Sequence, residues 1–231
     1  MNFQQPEKIH TDSKLSVHSI FYTIQGEGVF CGTPAIFIRL AGCNLQCPLC
    51  DTDYTSNRIG MDEFEIVKRC KALSSNGLVV ITGGEPFRQN TECLIRLLVE
   101  NGYYVQVETN GTLPPPNLIF SKDIVARSGV YIVCSPKTGS INKEIEKVCC
   151  CFKYVISHNS IDPVDKLPIY VLGSSVKVYR PLNTINNLIY VQPADHSDKE
   201  ENSKNIKAAI EACMQKQYIL QLQIHKILEV P

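Results

Sequence analysis

Cys43, Cys47 and Cys50 stand in one short run, AGCNLQCPLCDTDYT, at C-x3-C-x2-C spacing. Two metal chemistries compete for thiols in such a run. A structural zinc site closes with four ligands. A cubane [4Fe–4S] cluster takes cysteine thiolates, normally four. If only three hold a cubane, one iron has no protein ligand and a small molecule can bind there. The spacing favours the cluster over zinc. The remaining cysteines of the eleven offer less. Cys149, Cys150 and Cys151 are adjacent, so their side chains converge poorly on one ion and read as buried or surface thiols. Cys31, Cys70, Cys93, Cys134 and Cys213 read as ordinary core thiols.

A strand must deliver this loop. Ala35–Leu40 (AIFIRL) is apolar, β-branched and aromatic, and it runs straight into the cysteines. Leu15–Ile24 reads as extended chain before it. Met61–Leu73 has the helical face Phe64, Val67, Cys70 and Leu73. Leu78–Thr82 (LVVIT) is a strand ending in Gly83-Gly84, where the backbone can approach a ligand closely. Thr91–Glu100 reads as helix. Tyr103–Glu108, Tyr131–Cys134, Tyr154–Ile156 and Leu188–Val191 read as strands. A helix over roughly Lys199–Gln215 and a last strand, Tyr218–Ile224, follow. Ser157–Pro181 lacks helical periodicity and suits a hairpin.

Strands alternating with helices imply βαβ units and a parallel sheet. The chemically interesting residues fall just after strands, on the C-terminal rim where such folds carry their sites. The chain is short for an eight-fold barrel. The expected fold is therefore α/β, an open partial (βα) barrel of parallel strands. Residues 1–14 are expected to be loose and 15–231 to form a single domain.

Composition narrows the partners. Lys plus Arg and Asp plus Glu number 23 each, so no global basic footprint for nucleic acid exists. No apolar run approaches a membrane span. The polar start MNFQQPEKIHTDSK lacks the apolar core of a signal peptide. Many cysteines without an export signal fit a reducing cytoplasm.

Further motifs accompany the cysteines in a fixed order. TIQGEGVFCGTPAIFIRLAGC (Thr23–Cys43) precedes them. Asp51-Thr52, TGGEP (Thr82–Pro86), VETNGT (Val107–Thr112), SPK (Ser135–Lys137), VQPAD (Val191–Asp195) and QIHK near the end follow. From about Leu15 to Pro231 this set resembles the 7-carboxy-7-deazaguanine synthases, radical S-adenosylmethionine (SAM) enzymes of 7-deazaguanine (queuosine-type) biosynthesis. The resemblance implies the radical SAM type of partial barrel. It implies that 6-carboxy-5,6,7,8-tetrahydropterin undergoes a radical ring contraction with loss of ammonia. It also implies that SAM chelates the open iron, that one electron cleaves it, and that SAM is regenerated. Mg²⁺ assists.

The same resemblance assigns residues. Cys43, Cys47 and Cys50 ligate the cluster. Leu49, Cys50 and Asp51, then Gly84 and Glu85, then Ser135, Pro136 and Lys137, then Gln192, Pro193, Ala194 and Asp195, contact SAM. Glu85 is placed to accept from the SAM ammonium. Thr52 holds Mg²⁺, a hydroxyl beside a carboxylate being a reasonable hard-oxygen site; its bland alternative is an N-cap. Ile24, Gln25, Gly26, Arg39 and Thr82 match substrate positions. Gln25 can pair with the amide-like edge of the pterin, and Arg39 offers a guanidinium fork to its carboxylate. Glu27 is placed to recognise the donor edge. His225 is a further substrate candidate, and Pro231 matches a C-terminal proline used as a substrate contact, which the last strand would bring across the open side. Radical SAM loops often carry an aromatic before the last cysteine. Here Leu49 offers no ring to stack, and a backbone contact from it stays open. An external one-electron reductant such as flavodoxin, and a homodimer, are the implied partners.

Two other functions share parts of this pattern. A radical SAM activase that makes a glycyl radical on a partner protein would keep the cysteines without needing TIQGEG or a pterin pocket. A non-catalytic iron–sulfur module would not need GGEP or SPK.

Overall fold

The computed structural model describes residues 14–117, 129–181 and 188–231. The expected loose segment 1–14 lies, apart from Lys14, outside the described residues. Nine strands form one sheet among the described residues: β1 Leu15–Ile24, β2 Pro34–Leu40, β3 Ile59–Met61, β4 Gly77–Gly83, β5 Tyr103–Thr109, β6 Val130–Cys134, β7 Cys151–Ile156, β8 Leu188–Pro193 and β9 Ile219–Leu220. Their order is β3-β1-β2-β4-β5-β6-β7-β8-β9. From β2 to β9 each neighbouring pair is parallel. β1 runs antiparallel to both of its neighbours. The sheet is open, as expected for a partial barrel.

Five α-helices are described: α1 Glu63–Leu73, α2 Glu92–Glu100, α3 Lys143–Val148, α4 Lys199–Lys216 and α5 Ile224–Leu228. Asp62 caps α1 by accepting from Glu65 N at 2.8 Å, and Asp198 caps α4 by accepting from two backbone N–H groups. Each cap satisfies donors that the first turn leaves orphaned. One face of the sheet packs on helices. Ile36, Ile38, Val79, Ile81, Val105 and Val107 meet Ile66, Val67 and Cys70 of α1 and Leu94, Ile95 and Leu98 of α2 in one buried core.

Alternation sends the intervening residues to the other face. These are Phe37 and Arg39 on β2, Val80 and Thr82 on β4, Gln106 and Glu108 on β5, Val133 on β6, Lys153 and Val155 on β7, and Gln192 on β8. The inner face is thus far more polar than an ordinary parallel sheet, whose strands are apolar on both sides. A small apolar cluster of Ala35, Leu78 and Val80 with Phe30 and Phe37 covers part of it, and the rest lines a cavity.

Three expectations need correction. The helix expected over Met61–Leu73 starts two residues later, because Met61 ends β3 and Asp62 caps. Its buried side chains are Ile66, Val67 and Cys70, whereas Phe64 and Leu73 are exposed. The last strand shrinks to Ile219–Leu220, and Ile224, His225 and Lys226 belong to α5; alternation in QYILQLQI does not distinguish an edge strand from the turn into a short helix. Of the presumed core thiols, Cys70, Cys134 and Cys213 are buried but Cys31 is exposed and Cys93 half-buried. The Ser157–Pro181 region contains two antiparallel bridges, Ile161 with Pro168 and Tyr170 with Lys177, in keeping with the expected hairpin.

Candidate active site

The inner face, the loop after β2 and the C-terminal segment enclose a cavity of about 630 Å³. All three motif cysteines line it, with Leu49, Asp51 and Thr52 of the same loop. So do Ile24, Gln25, Glu27, Arg39, Thr82, Gly84, Ser135, Lys137, Gln192, Asp195, His225 and Pro231. Residues spread over the whole chain therefore converge, as the motif order implied. Gly26, Glu85, Pro136, Pro193 and Ala194 adjoin lining residues but are not part of the wall.

The cysteine loop is held by a polar truss beneath it. Glu85 is fully buried. Its Oε1 accepts from Phe87 N at 3.1 Å and Thr109 Oγ1 at 2.7 Å, and its Oε2 from Asn110 N at 2.7 Å. Glu85 N donates to Gly42 O at 3.0 Å, one residue before Cys43. Asn110 Nδ2 reaches Asn44 Oδ1 at 3.0 Å, and Asn44 Nδ2 reaches Thr112 Oγ1 at 2.8 Å. The GGEP and ETNGT motifs thus act together as a brace for the loop. The Glu85 carboxylate, expected near a ligand ammonium, is engaged by three protein donors around the ends of β4 and β5. Burial raises its pKa, and the bonds from Asn110, Thr109 and Phe87 oppose that rise. Replacing Glu85 with Ala strands three buried donors, so Glu85→Ala should lower unfolding free energy by about 3 kcal/mol or more. Chemical denaturation of the metal-free protein checks this; an unchanged midpoint would remove Glu85 from the truss.

Burial pushes the Cys43 thiol up to about 11, with Glu85 and the neighbouring thiols adding to the effect. Burial also raises Cys47, against the opposing charge of Lys137. Metal loading must therefore displace protons. A cubane would bind each thiolate on a different iron, so the three thiols need not meet at one point.

Across the cavity, Arg39 sits beside Thr82 in the β2–β4 register. Its guanidinium lies 5.5 Å from the Phe21 ring, which stacks on Phe37 at 5.4 Å. Arg39 Nε is buried without a hydrogen-bond partner. An orphaned buried donor on a cationic fork is a ready receptor for a carboxylate. Gln192 Oε1 is likewise buried without a partner.

Two substrate candidates have other work. Gln25 donates from Nε2 to Glu108 Oε1 at 3.0 Å, and its Oε1 accepts from Glu27 N at 3.0 Å. Gln25 thereby orients Glu108, where direct pairing with a ring edge was expected. Glu27 accepts from Gln223 Nε2 at 2.7 Å and forms a close ion pair with Lys153, so both of its oxygens are occupied. Glu108, Lys153, Asn110 and Phe21 line the cavity but were not singled out. Strand alternation carried part of their signal: Glu108 and Lys153 fall on the inner face of β5 and β7, and Phe21 pairs with Phe37 across β1 and β2.

The C-terminal segment closes one side. Lys226 Nζ lies 3.1 Å from Asp195 Oδ2 and 4.0 Å from Asp51 Oδ2. Thr23 Oγ1 donates to Pro231 O at 2.8 Å. A Cβ on Gly26 would fall 2.0 Å from His225 Nδ1, so glycine there admits the imidazole. Thr52 Oγ1 donates to Asp51 Oδ1 at 3.3 Å, leaving two hard oxygens side by side.

Comparison with known proteins places this cavity. A family model described as a 4Fe-4S single cluster domain matches residues 24–108. The 7-carboxy-7-deazaguanine synthase of Rhodospirillum rubrum is 37% identical over 226 residues, 94% of this chain and 92% of that one. The protein of the same name from Rickettsia prowazekii is 38% identical, over 94% of this chain and 89% of its own. The crystal structure of QueE from Escherichia coli shares the fold, with a TM-score of 0.65 at 22% identity over 90% of this chain and 93% of that one. Near-complete coverage at this identity, together with a cysteine loop braced over a shared cavity, means that the chain belongs to the 7-carboxy-7-deazaguanine synthase family.

Proposed function

We propose that the protein catalyses the radical SAM ring contraction of 6-carboxy-5,6,7,8-tetrahydropterin to 7-carboxy-7-deazaguanine, with release of ammonia. The observation that carries this reading is the presence, within one cavity, of the three-cysteine loop and of Arg39, whose buried Nε has no hydrogen-bond partner. A [4Fe–4S] cluster with SAM would supply one-electron cleavage chemistry when bound. Cys43, Cys47 and Cys50 would hold it. Gly84, Ser135, Lys137, Gln192 and Asp195 form the rim on which SAM would lie. Arg39 and Thr82 would orient the substrate carboxylate. Phe21 and Phe37 wall that end and exclude water. Thr52 and Asp51 offer Mg²⁺ two oxygens next to the cysteines, and water or substrate would complete its shell. An external one-electron reductant such as flavodoxin, a homodimeric assembly and a reducing cytoplasm belong to the same reading. Among the described residues no helix is long and apolar enough to cross a membrane.

The test is anaerobic reconstitution with iron and sulfide, then turnover with SAM, dithionite and the carboxylated pterin, with and without Mg²⁺. Formation of 7-carboxy-7-deazaguanine with ammonia is expected, and omission of Mg²⁺ should slow it. SAM cleavage without any deazapurine would favour the activase.

A further inference from the structure

In the same cavity as Arg39, the inner face carries a buried charge cluster that the cysteine loop does not explain. Lys153 on β7 is 8% exposed. Its ammonium pairs closely with Glu27 Oε2 and lies 4.0 Å from Glu108 Oε2. Burial works against both charges, but the pairing wins. Glu27 is held at about 2 by Lys153 and the bond from Gln223, and Lys153 is held above the usual lysine value by Glu27 and Glu108.

The two carboxylates differ in what they have left. Glu27 has both oxygens occupied, by Lys153 and Gln223. Glu108 Oε1 accepts from Gln25 Nε2 at 3.0 Å and Gln106 Nε2 at 2.9 Å. Its Oε2 has, among the described residues, only the ammonium at 4.0 Å. Gln25 cannot turn aside, because its own oxygen is tied to Glu27 N. Glu108 is therefore a rigidly held carboxylate on the cavity wall with accepting capacity to spare.

We propose that Lys153 is the positioning residue that sets ring selection in this cavity. It pins Glu27 aside and holds a positive charge 4.0 Å from Glu108 Oε2. Glu108 Oε2 then accepts from the ring N–H and exocyclic amine of a 2-amino-4-oxopyrimidine ring, while Arg39 takes the carboxylate at the other pole. The two poles sit on different strands of one sheet, so a ligand must present an anion at one end and paired donors at the other to satisfy both. A site with a buried acceptor rejects an analogue lacking the donor, because the acceptor is left unpaired. The inference rests on the pterin reading above and extends it.

The experiment measures equilibrium binding and steady-state kinetics with the carboxylated pterin and with its analogue carrying oxygen in place of the 2-amino group. Wild type should prefer the amino ring by about 30-fold, the range of one charge-assisted hydrogen bond. Lys153→Met should weaken binding of the amino ring and raise its KM by about the same factor. The preference should collapse while kcat and iron content change little. Lys153→Arg should retain the preference, and Lys153→Met/Glu27→Gln should recover much of it, since one carboxylate charge then remains unopposed by another. If Lys153→Met does not fold, Glu108→Gln serves, and loss of preference is expected there too. A folded Lys153→Met or Glu108→Gln variant with wild-type ring preference would overturn the proposal. Selective binding of the amino ring without turnover would overturn the reaction but support the ring selection; binding of neither ring would overturn both.

Discussion

Cys47→Ala is expected to yield a folded protein that holds no intact cubane and cleaves no SAM. Three thiolates are the minimum that leaves one iron open while fixing the other three, so loss of any one removes the anchor and exposes the cluster to solvent. Cys43→Ala and Cys50→Ala should behave alike. Cys150→Ala is the matched control. Cys150 precedes the N-terminal end of β7, and its thiol donates to Ile132 O at 3.0 Å, far along the strand from the cavity rim. Iron analysis, visible absorbance and product assays after reconstitution separate these outcomes. Wild-type iron is about four atoms per chain in this reading. Full activity in Cys47→Ala would sink the cluster assignment.

Gly84→Ala should be nearly as damaging, although it removes no functional group. A Cβ at Gly84 would lie 2.0 Å from Gly42 O and 2.8 Å from Cys43 N. Both are backbone atoms of the strand-to-loop junction, and Gly42 O already accepts from Glu85 N. Neither can yield without moving Cys43. The expected result is a destabilisation of about 3 kcal/mol or more, with iron content well below wild type even in the fraction that folds. Gly32→Ala is the contrast, because a Cβ there meets nothing within 4 Å; its φ of +89° would add local strain only. Equal iron loading in Gly84→Ala and wild type would show that the loop tolerates displacement.

The parallel sheet was readable because AIFIRL and LVVIT are short, largely apolar and β-branched runs that alternate with helical segments. The site was readable in so far as motif residues stand at strand ends. Glu85 shows where reading stopped. A carboxylate in GGEP carries the same letters whether it meets a ligand or three protein donors, and only the fold brings Thr109 and Asn110 to it. The partners of Gln25 and Glu27 were out of reach for the same reason: Glu108, Lys153 and Gln223 are distant in sequence and close in space. Lys153 itself stood just before the expected strand Tyr154–Ile156, which β7 extends back to Cys151. It becomes a buried charge because β7 is a central strand and its inner face opens on a cavity. The final helix was missed since five residues give too little period to detect.

The contact of Thr23 with Pro231 spans 208 positions, and Glu27 and Gln223 repeat the closure close by. The last strand of the sheet ends at Leu220. During synthesis, then, every strand can be in place while one wall of the cavity is still unmade. Scaffold and pocket mature in sequence. A chain stopped after Leu220 would carry the described strands and the three thiols but would lack Gln223, His225, Lys226 and Pro231 from the cavity wall.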